Sequence, residues 1–285
     1  MHTGSERHGT TPLRLLLLDG TPGATTLLVL AAHGALPRPD AALIPDTGWY
    51  PTSAYEYLDR LAHLATGAGI EVLWADAGAV TAATAFDPST SCPLPLHTRA
   101  PDGTPGRLAN GCAARQREAI DDAGRDLLGG SRAGVEFVLG LCAEQADLAH
   151  PAAASYRRNR YPLVELGWRT ENCLAHLAQH DLAYVPDMAC IGCPNRTNAG
   201  WAELRATDPQ AWQEALAVDD ALRNHPATVV PGGMPPGTTG YLHPAHLPLA
   251  EVELDAATDA GTEACVPRAC RGTRCSQTVE NGGGT

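Results

Sequence analysis

Leu13-Arg14-Leu15-Leu16-Leu17-Leu18, followed by Asp19-Gly20-Thr21-Pro22-Gly23 and then a helical pattern over residues 25–33, sets the fold class of this chain. A short apolar run cut off by a glycine and proline turn predicts a buried strand. The helix behind it makes the stretch the opening of an α/β unit. The pattern recurs. Residues 41–45 are a second apolar run ending at Asp46-Thr47-Gly48, residues 53–65 set Tyr57, Leu58, Leu61 and Leu64 on one helical side, and residues 70–75 predict a third strand. Apolar strands alternating with helices imply a mostly parallel sheet covered on both faces, a three-layer α/β/α sandwich.

Downstream, residues 77–108 are polar and rich in Pro, Gly and Thr, which predicts a long loop or lid. A charged helix is expected over residues 115–128, a buried strand over 135–141 and a helix over 170–180, with Thr170 as cap and Glu171 in its first turn. Asp208 is placed to cap a helix that starts at Pro209 and runs to about residue 223, and the breaker-rich residues 224–240 predict a linker or surface loop. The expected organisation is a disordered N-terminus (1–11), a nucleotide-binding α/β domain (12–180), a Cys-x-x-Cys and helical region (181–254), and a flexible cysteine-bearing tail (255–285).

A chain of 285 residues, 44% apolar, is long enough for one large core or two modest ones. It has no apolar run of membrane-spanning length, and residues 1–11 lack the apolar stretch of a secretory signal. A cytoplasmic location is therefore expected, where the nine cysteines would be reduced thiols or ligands. Every one of the strongly basic residues is arginine, which excludes Schiff-base lysines, lysine adenylylation and a Walker-type phosphate lysine. The net charge of −12 argues against non-specific coating of nucleic acid, although Arg157-Arg158-Asn159-Arg160 is a local basic patch.

The chemistry concentrates in Cys190-Ile191-Gly192-Cys193-Pro194. Two thiolates three positions apart at a turn fit zinc, an iron–sulfur cluster or a redox disulfide. Cys112, far upstream, would add a third sulfur, enough for a cluster with one iron left open. Zinc remains the alternative, with His97 or another cysteine completing a tetrahedron. Cys112 follows Asn110-Gly111 at the entry to a helix, where the thiolate a metal needs is favoured. Cys265, Cys270 and Cys275 are read either as a fourth ligand or mobile sulfur carrier, or as incidental tail thiols. Cys92, Cys142 and Cys173 are read as small buried apolar residues.

With these residues in place, the chain resembles the PP-loop ATP pyrophosphatases, or adenine-nucleotide α-hydrolases, in their phosphoadenosine-phosphosulfate-reductase-like branch. The resemblance covers roughly residues 13–254. It rests on ordered segments: the strand and glycine turn; Asp46-Thr47-Gly48-Trp49; Leu94-Pro95-Leu96-His97-Thr98; Gly111-Cys112; Asn159-Arg160-Tyr161-Pro162-Leu163; Ala189-Cys190-Ile191-Gly192-Cys193-Pro194; and Tyr241-Leu242-His243. It implies an adenine nucleotide, ATP or a relative with magnesium, held by Gly20, Thr21, Gly23 and Thr25 and by Asp46, Thr47 and Gly48. It also implies a 4Fe–4S cluster on Cys112, Cys190 and Cys193, with Cys112 and Arg160 in catalytic roles. The activity so implied is sulfur transfer to, or reduction of, an adenylate-activated substrate. Its partners would be a sulfur acceptor (tRNA, DNA or a small molecule) and a sulfur- or electron-donor protein, with oligomers allowed and no membrane.

The phosphate loop departs from the family's Ser-Gly-Gly-x-Asp-Ser. Asp19 puts an anion beside it, Pro22 lacks an N–H and Ala24 replaces a serine, so phosphate binding is weakened and ATP cleavage is left undecided. Asp46-Thr47-Gly48 follows a strand end, where open parallel sheets bind ligands, and a plain turn is the competing reading. Arg115 and Arg117 suit a phosphate or sulfate or a solvated helix face, and Pro162 fixes a turn that would aim Arg160 into a cleft. His97 and His243 are read as acids, bases or ligands, or as merely hydrogen-bonded; Trp49, Trp168, Trp201 and Trp212 are read as core or interface. The rival to the enzyme is a degenerate, non-catalytic nucleotide- or nucleic-acid-binding subunit of a modification or defence complex, with a structural metal at the cysteines.

Overall fold

The computed structural model describes residues 11–77, 94–108, 111–129, 134–152, 154–224 and 236–255. Cys92, Cys265, Cys270 and Cys275, residues 1–10, residues 78–93 of the expected lid and residues 256–285 of the tail lie outside these. In chain order the elements are β1 (Leu13–Leu17), α1 (Pro22–Ala32), β2 (Ala41–Asp46), α2 (Thr52–Gly67), β3 (Glu71–Asp76), β4 (His97–Arg99), β5 (Pro105–Arg107), α3 (Gly111–Leu128), β6 (Val135–Val138), β7 (Arg157–Arg160), α4 (Pro162–Glu165), α5 (Thr170–Ala178), α6 (Asn198–Thr207), α7 (Pro209–Asn224) and β8 (Thr239–Tyr241). The chain forms two compact units that interleave in sequence. One takes its described residues from the segments Met1–Pro45, Tyr57–Ala75 and Ala119–Val185; the other takes them from Asp46–Glu56, Asp76–Glu118 and Pro186–Thr285.

The first unit is built on a five-stranded, all-parallel sheet of order β3-β2-β1-β6-β7. Leu15, Leu17, Val135, Phe137 and Leu139 share one apolar cluster with Ile120 of α3. A Cβ added to Gly124 of α3 would lie 3.0 Å from the Phe137 ring, so helix and strand pack at the limit a glycine allows. On the other face, Leu16 and Val138 border one cavity with Leu27 and Ala31 of α1. Helix α1 starts with Pro22 just inside its first turn and Thr21 as N-cap, and residues 23–31 are buried all round. Such a helix is held by burial rather than by an amphipathic stripe.

The strand order reverses between β1 and β6, the place where open sheets leave a crevice at their carboxyl ends. Here two glycine backbones close the gap. A Cβ on Gly23 would collide with the carbonyl of Gly140, and one on Gly140 would collide with the backbone of Gly23 and Ala24.

The second unit pairs β4 with β5 and β8 in a small antiparallel sheet. Trp49, Leu96, Ile191, Trp201, Trp212 and Leu242 form its apolar core with α6 and α7. Thr197 and Asp208 cap these helices, accepting from the backbone N–H of Gly200 (3.0 Å) and Ala211 (3.0 Å). Asp219, 1% exposed, accepts from Leu242 N (3.0 Å) and Leu249 N (2.7 Å) and pairs with Arg223, which pins the segment after β8 to α7. Among the described residues no helix is long and apolar enough to cross a membrane.

Several elements depart from expectation. The predicted loop over residues 77–108 contains β4 and β5, and the basic patch at residues 157–160 is the edge strand β7. Charged residues on an edge strand discourage pairing with another chain. Arg169, not Thr170, is the cap of α5; Thr170 is its first helical residue and donates to Glu144.

Replacing Gly23 with alanine is expected to cost about 2 kcal/mol or more, because neither colliding backbone can step aside. Gly67→Ala, where the added carbon meets open space, should change stability by no more than about 1 kcal/mol. Urea unfolding of the two variants checks the contrast.

Candidate thiolate site

Strand β2 ends at Asp46, whose Oδ1 accepts from Gly48 N (2.8 Å) and from the Tyr55 hydroxyl (2.8 Å). Gly48 has φ of 68°, so the turn needs glycine there. Burial, and then the hydrogen bond to Asp46, push the Tyr55 phenol well above its ordinary range, so it stays a donor. Thr47 is buried, and its Oγ1 lies 3.2 Å from the sulfur of Cys190. That hydroxyl also accepts from Trp49 N (3.3 Å). Sequence reasoning treated Asp46-Thr47-Gly48 and Cys190 separately, and the structure brings them together.

The cysteine turn is held from inside by Arg196, 2% exposed. Its Nη1 pairs with Asp187 (2.9 Å), while Nη2 donates to the carbonyls of Ala189 (2.5 Å) and Cys190 (2.9 Å). Cys193 N donates to Cys190 O (3.1 Å) and Arg196 N to Cys193 O (3.0 Å), winding the segment into consecutive turns. Ile191 N donates to Trp49 O (2.9 Å), and the Trp49 ring covers Gly192 so closely that a Cβ there would collide with it. Trp49 is fixed in turn by Glu214, which accepts from its indole N–H at 2.7 Å. Arg196, Glu214 and Asp187 were missed in sequence. The only local signal is an arginine three residues past the second cysteine.

Cys112 opens α3 and packs, with Cys190, against the cluster that contains Trp49 and Ile191. Cys112, Cys190 and Cys193 are partly exposed and form no disulfide. Among the described residues no three His, Cys, Asp or Glu side chains converge on a point that would hold one ion. In the next turn of α3, Arg117 has a buried Nη1 and Gln116 a buried Oε1 without partners among the described residues.

The histidines hold structure. His97, 6% exposed, donates from Nε2 to Pro194 O (3.1 Å), and burial lowers its pKa to about 4. His243 donates from Nε2 to Asn198 Oδ1 (2.8 Å) and accepts at Nδ1 from Ala245 N (3.1 Å).

The β1–α1 turn belongs to the other unit. Gly20 has φ of 75° and, like Gly23, is buried. Asp19 Oδ1 accepts from Thr21 N (3.2 Å) and Thr21 Oγ1 (2.8 Å), and Ala24 N donates to Thr21 Oγ1 (3.4 Å). The turn thus takes its own carboxylate where a phosphate loop would present donors. Thr25 is fully buried and accepts from the Tyr57 hydroxyl (3.1 Å). Arg160 is held by Glu165, through Nε (3.0 Å) and Nη2 (2.8 Å). Cys142 and Cys173 are buried with sulfurs 3.7 Å apart, and this contact and burial raise the Cys173 thiol.

The chain matches no protein-family model and no curated protein.

Arg196→Met leaves Asp187 and two carbonyls without their cation and is expected to cost about 3–5 kcal/mol, measured by urea unfolding. His97 yields a pH prediction. Its folded pKa of about 4 lies below the 6.5 of the unfolded chain, so the unfolded state binds the extra proton as pH falls between those values. Stability should decline by up to about 3 kcal/mol across that window. His97→Gln should flatten the slope in urea titrations over the same pH range.

Proposed function

We propose that the chain is an iron–sulfur protein of the phosphoadenosine-phosphosulfate-reductase-like kind, its parallel-sheet unit a three-layer sandwich of the adenine-nucleotide α-hydrolase type. Cys112, Cys190 and Cys193 would hold a 4Fe–4S cluster used in sulfur transfer to, or reduction of, an adenylate-activated substrate. The observation that carries this is the contact of Thr47 with Cys190, which joins the strand-end loop and the cysteine turn in one site. When bound, such a cluster would supply an open iron or an electron.

The chain's own residues supply the rest. Thr47 hydrogen-bonds the Cys190 sulfur, and Arg196 and Trp49 hold the turn in shape without being exposed to substrate. Asp46, fixed by Tyr55 and Gly48 N, keeps an oxygen with which to accept from a hydroxyl of a bound adenosine. Arg117, with its unsatisfied guanidinium nitrogen, would pair with an anionic group of the substrate. The acceptor would be a tRNA base, DNA or a small molecule, supplied with sulfur or electrons by a donor protein.

The self-occupied β1–α1 turn favours a substrate that arrives already adenylylated over one activated here with ATP. The same turn motivates the second reading, a nucleotide- or nucleic-acid-binding subunit without catalysis.

Anaerobically purified protein is expected to contain iron and acid-labile sulfide in equal amounts, with a broad visible charge-transfer band. Cys112→Ala and Cys190→Ala should abolish that band, and the chain with ATP and magnesium should release no pyrophosphate. Zinc without sulfide would overturn the cluster and leave the binding-subunit reading. Rapid pyrophosphate release would overturn the account of the turn.

A further inference from the structure

Arg160, singled out in sequence, borders a cavity of about 160 Å³ in the parallel-sheet unit. The cavity lies on the α1 face of the sheet. Its apolar wall includes Leu16, Leu27, Ala31, Val138, Pro162 and Leu166. An apolar cavity of about this size accepts benzene, so it has room for one branched or aromatic side chain.

The rim is charged, and its charges alternate. Register sets Arg14 directly opposite Glu136, and Val138 opposite both Leu16 and Arg160, so both guanidinium groups and the Glu136 carboxylate emerge on the cavity's face. Arg14 Nε pairs with Glu136 Oε1 at 2.8 Å, Arg160 Nη1 lies 4.0 Å from Glu136 Oε2, and Arg160 Nη2 pairs with Glu165 at 2.8 Å. Two cations and two anions therefore border one apolar hollow. Arg160 and Glu165 are about half exposed, open to exchange partners with a ligand.

A ligand carrying one charge would take one partner of a pair and strand the other. A zwitterion offers both charges a few bonds apart, so each rim residue it displaces finds an opposite charge again. The ligand that matches a balanced rim above an apolar hollow is a small molecule with an ammonium, a carboxylate and an apolar body on one carbon. We infer that this cavity binds a free apolar α-amino acid, its carboxylate toward Arg14 and Arg160, its ammonium toward Glu136 and Glu165, and its side chain among Leu16, Leu27 and Val138. The inference is independent of the cysteine chemistry.

Isothermal titration of the full chain with leucine, methionine and phenylalanine in turn tests it. At least one is expected to bind saturably. Isocaproate and isoamylamine, which keep leucine's apolar body but one charge each, should bind at least about tenfold more weakly than leucine. Leu166 is 53% exposed, so Leu166→Asp should fold as the parent does, yet weaken binding by about tenfold or more by placing a charge in the wall. Cys190→Ala should leave binding unchanged. No saturable binding of any of the three, equal binding of the single-charge analogues, or binding that Leu166→Asp does not alter would each overturn the inference.

Discussion

The cysteine turn depends on one buried cation. Arg196 is buried and donates to the carbonyls of Ala189 and Cys190 while pairing with the carboxylate of Asp187. Buried carbonyls cost free energy unless bonded, and a buried guanidinium costs more, so these contacts stabilise both sides. The consequence is a Cys-x-x-Cys segment whose sulfur spacing is set by protein contacts. Trp49 extends the effect, since it closes over Gly192, accepts from Ile191 N and lies two residues from Thr47, whose hydroxyl meets Cys190.

The β1–α1 turn shows the opposite economy of donors. A helix start usually leaves N–H groups to attract an anion. Here Asp19 takes Thr21's N–H and hydroxyl, Thr21 takes the N–H of Ala24, and Pro22 has none. The two glycines at the strand-order reversal press backbone against backbone where a crevice would otherwise open. Both features point away from triphosphate binding at this turn.

Much of the sheet was legible because its central strands β1, β2 and β6 carry apolar side chains on both faces. β1, β2, β3 and β6 follow from runs of Leu, Ala, Ile and Val ended by turn residues, and the helices between them from spacing. β7 was hidden because Arg157–Arg160 is an edge strand whose neighbours on one side only need few apolar side chains. β4, β5 and β8 are three residues each, too short for a period to show. In the site, the two cysteines of the turn could be read from spacing alone. The helical position of Thr25 points its hydroxyl into the core toward Tyr57, and Arg160 bonds to Glu165 five residues on; neither follows from residue type. Arg196 was overlooked because its partners are backbone carbonyls, which every sequence has.

Arg196 holds the cysteine turn in shape through protein contacts alone. Hydrogen exchange at the amides of Ile191, Cys193 and Arg196, followed in metal-free protein, tests it most directly. Protection at all three, lost in Arg196→Met while α7 stays protected, is the predicted result. Exchange at the rate of an unstructured loop in the metal-free parent, with protection gained only on metal loading, would contradict it and make the metal the organiser of the turn.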